Sequence, residues 1–144
     1  MAFSIEATAT HAGGYSADVR ARGHALRVDE PAEVGGADTG PMPTELFCAA
    51  LASCFCLAVG HVARKRDVAL PGLEVTVRAE RAGRELRYER FTVVATAAVA
   101  DAVLAPLVER ARPFCWVSNT LAAGIEVEYG THLTTRPSTG VDEE

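Results

Sequence analysis

The chain has 144 residues, 49% of them hydrophobic, enough for one domain with its own core and no metal or disulfide staple. Its 19 acidic and 14 basic residues give a net charge of -5, so neither nucleic acid nor an anionic membrane is a favoured partner. The opening Met1-Ala-Phe-Ser-Ile-Glu has no charged stretch leading into an apolar one, so a cytoplasmic chain is expected, with its four cysteines reduced and left for packing, metal binding or redox chemistry.

In chain order, alternating apolar positions predict strands over residues 3–9, 15–21 and 24–29, joined by His11-Ala-Gly-Gly14 and by Arg22-Gly23 as an antiparallel meander. Residues 31–40, with Gly35-Gly36 and Thr39-Gly40, read as a loop. A helix is predicted over residues 43–66, because Pro43 suits a first turn and Glu45 complements its positive end. Within it, Leu46 to Ala63 is almost uniformly apolar for 18 residues, the length at which a membrane span has to be considered. Its many small residues, with Ser53, Gly60 and His61, fit a helix buried at the centre of a fold instead.

Pro71-Gly72 marks a turn, after which residues 73–79 and 86–96 alternate as a hairpin around Arg81-Ala-Gly-Arg84. Asp101 caps a second helix running to Arg112, where Pro113 interrupts, and a third short helix spans residues 118–124. Residues 125–129 read as a closing strand. From Thr131 the chain is polar with an acidic end, as in a frayed tail. The pattern is α+β, with one domain over residues 1–130 and a tail over residues 131–144.

Chemistry centres on the cysteines. At 100° per residue Cys54 and Cys56 project to opposite sides of one helix, and no Cys-x-x-Cys or His-x-x-x-His spacing exists, so no metal site is expected. Cys48 and Cys56 read as small packing residues. From the residues alone Cys54 and Cys115 fit packing as well as reactivity; Cys115 lies beside a helix start, whose free N–H groups favour a thiolate. His61 reads as a core histidine and His24 as a turn or interface residue. Asp29 and Glu30 read as cap or surface groups, and Ser118 and Asn119 as fasteners of the Cys115 loop.

The stretch Gly23-His-Ala-Leu-Arg-Val-Asp-Glu-Pro31, the loop from Gly35-Gly36 to Gly40-Pro41, Pro43-Thr-Glu-Leu-Phe with Ala52-Ser-Cys54-Phe, and Cys115-Trp-Val-Ser-Asn-Thr together resemble the OsmC/Ohr family. The resemblance spans residues 6–130 and implies an OsmC-like fold of antiparallel sheets around a long central helix, in an intertwined homodimer. It also implies a thiol peroxidase of oxidative stress defence acting on organic hydroperoxides. Cys54 would be the peroxidatic thiol and Cys115 the resolving one. An external dithiol, such as a protein-bound lipoyl group, would restore them without a resident cofactor, and Phe47, Phe55, Phe114 and Trp116 would line the substrate pocket.

Three positions depart from the family pattern. Its thiolate-stabilising arginine falls on Tyr15, and its partner glutamate, ten residues before the reactive cysteine, falls on Thr44 with Glu45 next to it. Trp116 stands where the family commonly has proline. Arg20 or Arg22 would restore the missing cation if the register or a partner chain brings it close. The alternative is a catalytically weak relative that binds a small hydrophobic ligand at the dimer interface.

Overall fold

A computed structural model describes residues 3–132. Three short strands, β1 (Thr8–Gly13), β2 (Ser16–Ala21) and β3 (His24–Val28), pair antiparallel in that order. Left-handed residues make the reversals: Gly13 and Gly14 at the first (φ 98° and 54°), Arg22 at the second (φ 54°). Asp18 and Arg27, opposite one another on β2 and β3, form a forked pair at 2.8 Å. Both are half-exposed, so this pair contributes about 1 kcal/mol at most. Of the meander's side chains only Val28 is buried.

The first strand begins at Thr8, five residues later than the expected one over residues 3–9. Thr8 pairs with Arg20, and β2 ends at Ala21, so no β2 backbone lies opposite residues 3–6. Phe3 and Ile5 consequently stand in solvent. The expected strand over residues 125–129 has no regular structure either, and Ile125, Val127 and Tyr129 are exposed. Alternation reports a segment with one apolar side; whether a strand lies beside it is a separate matter.

After β3 the chain folds over Asp29, which is 1% exposed. Its carboxylate accepts hydrogen bonds from the Glu30 N–H (2.8 Å), the Ala37 N–H (3.3 Å), the Thr39 N–H (3.1 Å) and the Thr39 hydroxyl (2.7 Å). This clasp draws residues 31–40 so tight that a Cβ at Gly36 would lie 1.7 Å from the Glu30 carbonyl oxygen, and one at Gly40 2.2 Å from that of Arg27. The Thr39 hydroxyl, then the Thr39 amide, hold the Asp29 carboxyl below its ordinary 3.8. A lowered folded-state value means stability is fully present above 3.8 and is lost as pH falls through the folded value. Asp29→Asn is accordingly expected to melt earlier at neutral pH and to show a shallower further loss in acid, measured by thermal unfolding against pH.

The long helix α1 (Pro43–Lys65) starts where Pro43 occupies the first position and the Glu45 carboxylate accepts the Met42 N–H at 2.9 Å. It is long and apolar enough to cross a membrane. Its stripe of Leu51, Phe55, Ala58, Val59, Val62 and Ala63 is instead the centre of the core. The hairpin β4 (Glu74–Arg81) and β5 (Tyr88–Thr96) pairs Val77 with Val93 and Ala79 with Phe91, aligning one apolar face against α1.

Helix α2 (Asp101–Ala111) adds Leu104, Leu107 and Ala111 to the core. A single 3-10 turn, Arg112–Phe114, then leads into α3 (Trp116–Ala123), closed by left-handed Gly124. α3 starts two residues before the expected Ser118. The expected tail lies outside the described residues from position 133 on.

Candidate functional site

Two stretches remote in sequence meet at the middle of α1. On α1, Cys54, Leu57, Ala58 and His61 recur at the spacing of one helix face and line a cleft of 310 Å³ whose other wall is Phe114 and Trp116. The second wall exists because Pro113 cannot continue α2, and the tight turn it forms swings Phe114 outward and Cys115 inward. The His61 and Phe114 rings sit 5.5 Å apart across the cleft.

Cys115 is 0% exposed, inside the core cluster with Leu51, Phe55, Ala58, Leu107 and Ala111, and half-buried Cys54 packs against that cluster. All four cysteines are free thiols. Cys115 is also the residue that opens α3. Its carbonyl accepts the Asn119 N–H at 3.1 Å and the Ser118 hydroxyl at 3.2 Å, while the Asn119 amide donates to the Pro113 carbonyl at 3.0 Å. The loop is thus fastened by the two side chains expected to do so.

Burial pushes the Cys115 thiol up, but the neighbouring polar groups, the Ser118 hydroxyl and amide first and then the Cys54 thiol and the Val117 amide, outweigh it and hold the thiol below its ordinary 9.0. Unpaired N–H groups of a helix start point along the axis toward the residue before the helix and favour negative charge there.

The remaining candidates are dispersed. Phe55 faces a separate cleft of 780 Å³, shared with Leu51, Val93, Val108 and Arg112, and Phe47 packs edge-on to Phe91 at 5.5 Å between ring centres. Glu45 is occupied as the cap of α1, and Thr44 lines a separate cleft of 440 Å³ with Glu30, Arg81 and Tyr88. Tyr15 sits at the β1–β2 turn against Gly35, and Arg20 and Arg22 are exposed on the meander. Among the described residues no arginine or lysine lines the Cys54 cleft. No group of three or more metal-ligating side chains is assembled among them.

His61 departs from its reading as a core residue: it is half-buried and lines the cleft beside Cys54. Its position seven residues after Cys54, with Leu57 and Ala58 between at helical spacing, is the signal that shows it.

The description "OsmC-like protein" fits residues 35–130 of this sequence, two thirds of its length. The chain belongs to the OsmC-like family. An organic hydroperoxide resistance protein from Legionella pneumophila is similar to it, with 25% identity, a TM-score of 0.64, and coverage of 83% of this chain and 89% of that one. A Vibrio cholerae protein assigned to organic hydroperoxide resistance shares 30% identity over 88% of this chain and 90% of that one, at a TM-score of 0.63, and holds captopril in one of its active sites. An OsmC-like protein from Mycoplasma pneumoniae shares the fold at a TM-score of 0.73 with 14% identity, covering 86% and 91%. No curated protein matches. The α+β architecture of small antiparallel sheets and helices is therefore the OsmC-like one, and its matched region contains both Cys54 and Cys115.

Proposed function

We propose that this OsmC-like chain is a thiol peroxidase that reduces organic hydroperoxides through Cys54 and Cys115. The observation that carries the reading is that two cysteines distant in sequence pack in one core cluster, with Cys54 lining a cleft walled by Leu57, Phe114 and Trp116. Its similarity to organic hydroperoxide resistance proteins supports the same class of substrate. The Cys54 sulfur attacks the distal peroxide oxygen, the O–O bond breaks, and the alcohol leaves as Cys54 becomes a sulfenic acid. Cys115 then displaces that oxygen as water or hydroxide, forming the disulfide, which an external dithiol such as a protein-bound lipoyl group reduces. The apolar walls suit an alkyl tail better than hydrogen peroxide.

The test is consumption of cumene hydroperoxide with a dithiol reductant, alongside mass spectrometry of the oxidised chain. Turnover with a Cys54–Cys115 disulfide supports the reading. An inert chain carrying an apolar ligand through purification would favour the binding alternative, for which the absence of a cation from the cleft speaks.

The working unit in this reading is a homodimer. The meander carries almost no buried side chain, and residues 3–6 and 125–129 offer apolar, alternating edges without a strand beside them. A second copy would cover these and could bring Arg20 or Arg22 toward Cys54. Sedimentation is expected to give twice 15.2 kDa, and joint Ile125→Lys and Val127→Lys replacement to give monomers with lowered activity.

A further inference from the structure

We propose that His61 is a specificity-determining residue of the Cys54 cleft, donating a hydrogen bond to a carboxylate carried at the far end of an alkyl hydroperoxide. This rests on the peroxidase reading and names the class of hydroperoxide within it.

The cleft is polar mainly at its two ends. Leu57, Ala58 and Phe114 are apolar, Trp116 offers a single indole N–H, and of the lining residues only Cys54 and His61 titrate. No aspartate or glutamate is among them, so an entering anion meets no like charge on the walls. The seven residues from Cys54 to His61 turn α1 through about 700°, nearly two whole turns, and advance it by roughly 10 Å. The two side chains therefore share one face, spaced like the two ends of a short chain lying along it.

His61 is equipped to donate. Its ring leans on Phe114, with 5.5 Å between centres and planes tilted by 54°. Unlike His11, whose ring nitrogen is engaged with the Gly14 carbonyl at 3.2 Å, it has no hydrogen-bond partner among the described residues. No buried side-chain nitrogen or oxygen among those residues lacks a partner, so the unbonded nitrogens of half-buried His61 are open to solvent. An imidazole keeps at least one N–H in either protonation state.

The acceptor it favours is anionic, because an N–H bonds a carboxylate about twice as strongly as a neutral oxygen. The helix side that carries His61 continues through Arg64 and Lys65, three and four residues on and both exposed. These cations also offset the carbonyl end of α1, and they lie one turn beyond His61. Size agrees: 310 Å³ holds about ten non-hydrogen atoms at about 30 Å³ each. An extended chain advances about 1.2 Å per bond, so the 10 Å between Cys54 and His61 corresponds to roughly nine bonds from the attacked oxygen to the carboxylate oxygen. The hydroperoxide 7-hydroperoxyheptanoic acid has that length.

The experiment measures kcat and KM of the full chain, with a dithiol reductant, for 7-hydroperoxyheptanoic acid and for heptyl hydroperoxide. The parent should prefer the acid by roughly tenfold in kcat/KM, carried by KM, the scale of one hydrogen bond to a charged group. His61→Leu should bring the two substrates level. His61→Gln, which restores an N–H donor, should recover part of the preference, as a merely structural role for the ring would not. In an arm without turnover, the His61 imidazole signals in nuclear magnetic resonance should move on adding 7-hydroxyheptanoic acid and stay in place with heptanol.

Equal kcat/KM for the two hydroperoxides in the parent overturns the proposal, as does a preference that survives His61→Leu. A parent inert toward both hydroperoxides overturns the peroxidase reading instead. The resonance arm then decides the role of His61 by itself: signals that move keep the carboxylate contact in a binding protein, and signals that do not remove it.

Discussion

Cys54→Ser is expected to lower organic hydroperoxide consumption by about a thousandfold or more, because a serine hydroxyl in the same place is not ionised and cannot attack the O–O bond at neutral pH. The replacement is nearly isosteric at a half-buried position, so the fold should persist. Cys115→Ser has a different signature: Cys54 is still oxidised, but no intramolecular disulfide forms, and the reductant must act on the sulfenic acid directly. A steady-state assay with a dithiol, read together with the mass of the oxidised chain, separates the two. The rate of disulfide closure should also rise with pH as Cys115 ionises. Since its folded-state value lies below the ordinary 9.0, that rise begins earlier than for a free thiol, and the same shift makes the fold gain stability between the two values. Equal rates in the parent and Cys54→Ser would end the peroxidase reading.

Much of this site was legible in the chain because its determinants are local. Pro43 and Glu45 set the start of α1, and Pro113 the end of α2, whatever surrounds them. The alternation of residues 73–79 and 86–96 specifies a hairpin that buries one face, and the paired cysteine contexts gave the family before any geometry was known. What failed was whatever depends on a neighbour. Phe3, Ile5, Ile125 and Val127 alternate like strand residues, yet a strand needs a second backbone, which this chain does not place beside them. Glu45 lies beside the position of the family's partner glutamate, yet the free N–H of Met42, three residues before it, is a nearer claimant. His61 reads as a core residue because its helix is apolar throughout, and an apolar helix does not declare which side is covered.

The aromatic residues make the same point as a measurable contrast. Phe55 follows Cys54 directly, but a step of 100° turns it into the core, where it is 7% exposed among Leu51, Val59, Leu107 and Cys115. Trp116 is 80% exposed and faces the Cys54 cleft from the opposite wall. Phe55→Ala is expected to remove about 3–5 kcal/mol of stability. Against a total of about 5–15 kcal/mol for an ordinary domain, that leaves a chain near its unfolding threshold. The molecules that stay folded should keep their rate per active site, because the ring touches the other cleft. Trp116→Ala should leave the melting temperature almost unchanged and raise KM for cumene hydroperoxide roughly tenfold, the equivalent of about 1.4 kcal/mol of apolar contact, with little effect on hydrogen peroxide. Chemical denaturation and KM measurements on the two variants give opposite patterns if the cleft of Cys54, Phe114 and Trp116 is the substrate site. A Phe55→Ala protein that is stable but weak in binding would move that site to the larger cleft beside Arg112.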